Sequence, residues 1–123
     1  MNEIINSAEL GAPAGFSHAV RAGSTVYLAG QTGAGETLTE QFDDALGRLL
    51  TALRAAGGGP GDLASVQVFV TDVSAYRGAL RELGQIWRAH CGRHYPAIGL
   101  FGVSELFEPE ALVELMGVAV IER

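Results

Sequence analysis

The sequence contains no lysine, a single cysteine and no cluster of basic residues; its eight basic side chains are all arginines, scattered from Arg21 to Arg123. Without lysine there is no amine for Schiff-base catalysis or for the lysine-dependent phosphate loop. Fourteen acidic residues bring the formal charge to −6, so a phosphate backbone would meet little counter-charge and nucleic acid is not an expected partner. Cys91 stands alone, which rules out an intrachain disulfide framework. No apolar run approaches the roughly 20 residues needed to cross a bilayer, so no membrane contact is expected. The opening MNEIINSAEL has neither the basic start nor the apolar stretch of a signal peptide, and a cytoplasmic location is the expectation.

Apolar material, by contrast, is plentiful. Of the 123 residues 48% are hydrophobic and 18% charged, which suits one folded domain spanning residues 1–123. That apolar fraction is high for a small domain with much surface to cover, which points to burial against further copies of the chain, a homo-oligomer.

Two β-prone runs, Ser17 to Ala22 and Thr25 to Gly30, flank Gly23-Ser24 and predict an opening hairpin. Thr37 and Glu40 have the spacing of a capping box, and Phe42, Ala45, Leu46, Leu49, Leu50 and Leu53 then recur at helical intervals until Gly57 to Pro60. Alternating Val66, Val68 and Val70 predict an inner strand. Beyond Asp72, the residues Tyr76, Leu80, Leu83, Ile86, Trp87 and Cys91 predict a second helix closed by Gly92. Two final β-prone segments, Ile98 to Leu106 and Ala111 to Ile121, joined around Pro109, predict a closing hairpin. The order is ββαβαββ, an α+β fold with a mixed sheet and two helices on one face. The opposite face is left partly apolar and needs a partner.

Few residues suggest chemistry. His90, Cys91 and His94 make no standard ligand spacing with a second cluster, so no metal is expected. Cys91 lies in line with the apolar stripe of its helix, as an inert core thiol would. The glycines at 30, 33 and 35 complete neither a dinucleotide nor a P-loop pattern and read as turns. Glu114 is different: it interrupts the β-run from Ala111 to Val120 and by alternation shares a face with Leu112, Met116 and Val118. Two explanations fit, a rim carboxylate paired with another chain's arginine, or a desolvated acid/base at a subunit cleft.

The segments Gly15-Phe16-Ser17-His18-Ala19-Val20, Val26-Tyr27-Leu28-Ala29-Gly30-Gln31, Val68-Phe69-Val70-Thr71-Asp72, Tyr95-Pro96-Ala97 and Leu112-Val113-Glu114 resemble, in order and approximate spacing, the signatures of the Rid (YjgF-type, reactive intermediate deaminase) family. The resemblance covers the chain from about Gly15 to Ile121. It implies a chorismate-mutase-like fold assembled as a homotrimer with clefts between subunits. It also implies hydrolysis of reactive imines or enamines without metal or organic cofactor, a glutamate positioning or activating water and an arginine holding the substrate carboxylate.

Glu114 matches the family's glutamate. The arginine of such deaminases directly follows Pro-Ala, and here Ile98 follows Pro96-Ala97, so the carboxylate clamp is absent. Charge-assisted hydrogen bonds contribute roughly 1.5 to 3 kcal/mol each, so generic 2-imino acid deamination is not expected. The resemblance implies a cleft lined by Phe16, Ile98, Leu100 and Met116 around a readily protonated Glu114, suited to proton transfer on a neutral small molecule. Arg93 is a candidate substitute clamp, although arginines near helix ends are usually solvated. His18 resembles a variant found in Rid subgroups without the arginine, and either orients a ligand or supports the first hairpin. The alternative to an enzyme is a non-catalytic metabolite-binding or regulatory trimer. Ribonuclease activity, attached to some relatives, fits an acidic chain poorly.

Overall fold

The computed structural model describes residues 1–122. Six strands form one sheet: β1 (Glu3–Ile5), β2 (Ala19–Ala22), β3 (Thr25–Gln31), β4 (Leu63–Val70), β5 (Ala97–Gly102) and β6 (Val113–Val120). Three helices accompany them: α1 (Leu38–Ala55), α2 (Val73–Gly78) and α3 (Leu80–Cys91). The spatial order is β1-β2-β3-β6-β4-β5. All pairs are antiparallel except β4 with β5, so the α+β class with a mixed sheet holds.

The first helix forms where its sequence signals it. The Thr37 hydroxyl accepts the Glu40 N–H, the Glu40 carboxylate accepts the Thr37 N–H, and Phe42, Leu46, Leu49 and Leu53 are buried along one stripe. These side chains pack onto Val66, Val68, Val113 and Leu115 of the central strands to make the core. Trp87 of α3 joins that core, and its indole N–H is satisfied by the His94 carbonyl at 2.9 Å.

Three expectations need correction. The closing segments do not form a hairpin: β6 lies between β3 and β4, and β5 pairs with β4 on the outer edge. The reason is the α2–α3 crossover, which returns the chain parallel to the strand it left and so seats β5 beside β4. The second helix is two helices, broken at Ala79 after Gly78, a residue poorly suited to a helix interior. The N-terminal residues add a short strand, β1, whose three residues are too few for a readable period.

The sheet face away from the helices is only partly covered. Tyr27, Phe101 and Met116 remain well exposed there, and Phe69 stacks on Phe101 with ring centroids 5.7 Å apart. No helix among the described residues is long and apolar enough to cross a membrane.

Candidate functional site

Inward-facing Val113 and Leu115 of β6 are fully buried, so intervening Glu114 must project to the opposite face. There it is cross-strand from Phe69 and shares the face with Met116 and Val118, as the alternation predicts. The carboxylate lies directly over Gly30 of β3. A Cβ on residue 30 would overlap Oε2 and stand 2.9 Å from Cδ, so only glycine leaves this position open.

The Glu114 carboxylate makes no hydrogen bond or ion pair among the described residues. Burial without a partner pushes its carboxyl above the ordinary glutamate value. Because the fold favours the protonated form, the associated stability is complete below the ordinary value of 4.5 and is lost as pH rises through the raised one. Glu114→Gln is therefore expected to be more stable than the native protein at pH 7, with the difference vanishing under acid conditions. Urea midpoints across pH check this, and a Gln variant less stable at pH 7 contradicts it.

In front of Glu114 lies an open cavity of about 1060 Å³, ample for a small metabolite. Its walls are the segment from Gly30 to Gly35, Gln41, Asp44 and Arg48 of α1, and the segment from Phe107 to Ala111. Gln41, buried on α1, ties these walls together: its amide donates to the Gly35 and Glu110 carbonyls, and its side-chain oxygen accepts the Leu112 N–H at 2.8 Å. Gly33 packs so closely on α1 that a Cβ would overlap the Gln41 carbonyl and sit 2.6 Å from the Ala45 nitrogen. The glycines at 33 and 30 thus permit close approach, which gives them a structural reason beyond turn formation.

The other expected residues fall into separate groups. Phe16 lines the cavity with Glu114, and Met116 shares its sheet face without lining it. Ile98 and Leu100 pair with Val66 and Val68, so they take the helix-side face, on the edge strand where they stay exposed. Arg93 is exposed in the turn before β5, by the far end of β4 from Glu114. Within one protomer, neither β5 nor Arg93 meets the carboxylate.

His18 is buried and structural in its contacts: its Nδ1 accepts the Ser7 N–H at 3.0 Å and its backbone N–H donates to Asn6 Oδ1 at 2.9 Å. An accepting Nδ1 leaves the ring proton on Nε2. His90 contacts Asp43 at 2.6 Å and His94 the Leu63 carbonyl at 2.8 Å. Among the described residues no three His, Cys, Asp or Glu side chains come together as a metal site. Cys91 is buried, its thiol pushed up to about 11 by desolvation, as suits a packing residue.

Sequence reading missed Gln31, Gln41 and Arg48. The β3–β6 register slips between Leu28 and Gln31, so three residues of β3 advance against two of β6 and Gln31 returns to the buried face opposite Leu115. From there its side-chain oxygen accepts from Arg48 Nε at 3.3 Å. No local sequence signal reports such a bulge.

The sequence model of the family described as endoribonuclease L-PSP matches residues 6–121. A Mycobacterium tuberculosis member of the YjgF/YER057c/UK114 family is 32% identical, covering 98% of this chain and 100% of that one, with a TM-score of 0.83. A protein of unknown function from Pseudomonas aeruginosa is 27% identical over 99% and 94% of the two chains, with a TM-score of 0.85. RidA from an Antarctic Psychrobacter is 25% identical over 97% and 99%, also at 0.85. Among curated proteins none matches. Since the family match and the whole-length likeness to the mycobacterial protein span the same strands that carry Glu114 and Gly30, this chain belongs to the YjgF/YER057c/UK114, or Rid, family.

Proposed function

We propose that the protein is a trimeric small-molecule enzyme in which Glu114 assists hydrolysis or proton transfer on an imine, enamine or related carbonyl compound. The observation that carries this reading is a desolvated, unpartnered carboxylate standing over Gly30 at an open cavity. In hydrolysis, Glu114 takes a proton from water as its oxygen adds to the C=N carbon. The protonated carboxyl gives that proton to the imine nitrogen, completing the carbinolamine, and Glu114 then carries the remaining hydroxyl proton to the amine as the C–N bond breaks, leaving a carbonyl compound and ammonia. A raised carboxyl value suits both steps, because acid and base forms are then accessible closer to neutral pH. No cofactor is called for.

The apolar outer face, with Tyr27, Phe101 and Met116 exposed, favours assembly against further copies. Assembly is also the way for Ile98 and Leu100 of one protomer to approach Glu114 of another, given their placement on different faces of one sheet. With isoleucine at position 98, such a cleft has no clamp from β5 for an α-carboxylate. The net charge of −6 argues against ribonuclease action.

The test follows decay of preformed imines of neutral ketones, with native protein beside Glu114→Gln and light scattering to verify assembly. Accelerated decay by the native protein alone supports catalysis. Tight binding of the ketones by both proteins with acceleration by neither would replace the enzyme with a metabolite-binding trimer.

A further inference from the structure

Among the described residues Arg48 is the one cation lining the cavity, and nothing in the proposed chemistry uses it. It is half-buried on α1, and its guanidinium is held from behind. Nε donates to the buried Gln31 side chain at 3.3 Å and Nη2 reaches the Leu10 carbonyl at 3.5 Å. Nη1 has no partner, and Arg48 makes no ion pair among the described residues. Asp44, one helical turn earlier, also lines the cavity, but its Oδ2 accepts the Ala34 N–H at 2.8 Å. Glu108 and Glu110 are exposed on the rim. A partly desolvated guanidinium, oriented by a buried amide and lacking a counter-ion, is an incomplete arrangement that an anion would complete.

Its location constrains the ligand. Gln31, which holds Arg48, points to the helix side of the sheet, whereas Glu114 projects from the other side beside Gly30. The two charged groups therefore meet the cavity from opposite sides of the β3 end. An α-carboxylate is one bond from the reacting C=N carbon, whereas a ligand that meets both groups must reach from one side of the β3 end to the other.

The geometry points to Arg48 as the anion-binding residue of this cavity, receiving an acidic group, carboxylate or phosphate, carried several bonds from the imine or carbonyl carbon that Glu114 addresses. This rests on the proposed function for the Glu114 end only; the anion site itself is tested by binding, without turnover.

Calorimetry on the intact protein would compare 4-oxopentanoate, 2-oxobutanoate, 2-pentanone and inorganic phosphate. The expected result is 4-oxopentanoate binding about ten- to hundredfold more tightly than 2-pentanone and more tightly than 2-oxobutanoate. Arg48→Gln should erase that advantage, Arg48→Lys should keep part of it, and Arg93→Gln should leave it whole. Phosphate binding that disappears in Arg48→Gln would also uphold the site and identify the acidic group as a phosphate ester. Equal binding of the two keto acids, no binding of any anion, or an advantage that survives in Arg48→Gln would overturn the proposal. So would a lowered melting temperature in Arg48→Gln with the ligand-induced rise unchanged, the signature of an arginine that only ties Leu10 to α1. Glu114→Gln should retain anion binding, so a failure of the catalytic reading leaves this result separate.

Discussion

Ile98→Arg is expected to raise ammonia release from freshly generated 2-iminobutanoate by about two orders of magnitude or more. A bidentate guanidinium supplies two charge-assisted hydrogen bonds to the α-carboxylate at roughly 1.5 to 3 kcal/mol each. The substitution should leave the protomer folded, because Ile98 is 46% exposed on the edge strand and takes no part in the core. The effect depends on assembly, since within one protomer residue 98 and Glu114 take opposite sheet faces. Combining Ile98→Arg with Glu114→Ala should return the rate to background, because a held substrate without its proton carrier does not react. No gain in a well-assembled protein would mean that β5 does not face a neighbour's carboxylate. A native protein already active on 2-iminobutanoate would overturn the account of the missing clamp.

Gly30→Ala is expected to lower turnover on any accepted substrate by about a hundredfold while leaving the protein folded. The added methyl overlaps the Glu114 carboxylate, the mobile end of a side chain rather than backbone. That carboxylate therefore swings aside, and displacement of a reacting group by about 1 Å can cost a factor of 10². The change should fall on kcat, with the melting temperature nearly unmoved, and should add little in a Glu114→Gln background, where the group it displaces no longer works. An alanine variant with native kcat would show that this placement of the carboxylate does not matter to the reaction.

Local features of this fold were legible in the sequence and long-range ones were not. The Thr37–Glu40 box and the stripe from Phe42 to Leu53 announce α1 because both partners of each contact lie within a few turns of one helix. Glu114 was legible because a carboxylate breaking an alternation of apolar residues needs a reason. The placement of β6 between β3 and β4 was not legible, since adjacency in sequence favoured a hairpin with β5 and only the crossover geometry decides otherwise. Arg48 was hidden for a related reason: an arginine on an amphipathic helix reads as solvated, and its partner Gln31 is 17 positions away at a bulge. Phe16 and Glu114 do share a cavity, whereas Ile98 and Leu100 were joined to them by family resemblance rather than by anything local.

The central position of β6 also bears on how the molecule is made. The strand translated last of the six fills the middle of the sheet, so during synthesis the β1–β3 meander and the β4–β5 pair must wait as two open-edged pieces. Long-range pairing of this kind folds slowly compared with local hairpins. The waiting edges of β3 and β4 are the surfaces on which nascent chains would mispair or attract chaperones. Because Glu114 arrives on that same strand, no partly built molecule can carry its carboxylate at the cavity: closure of the sheet and completion of the proposed site are one event.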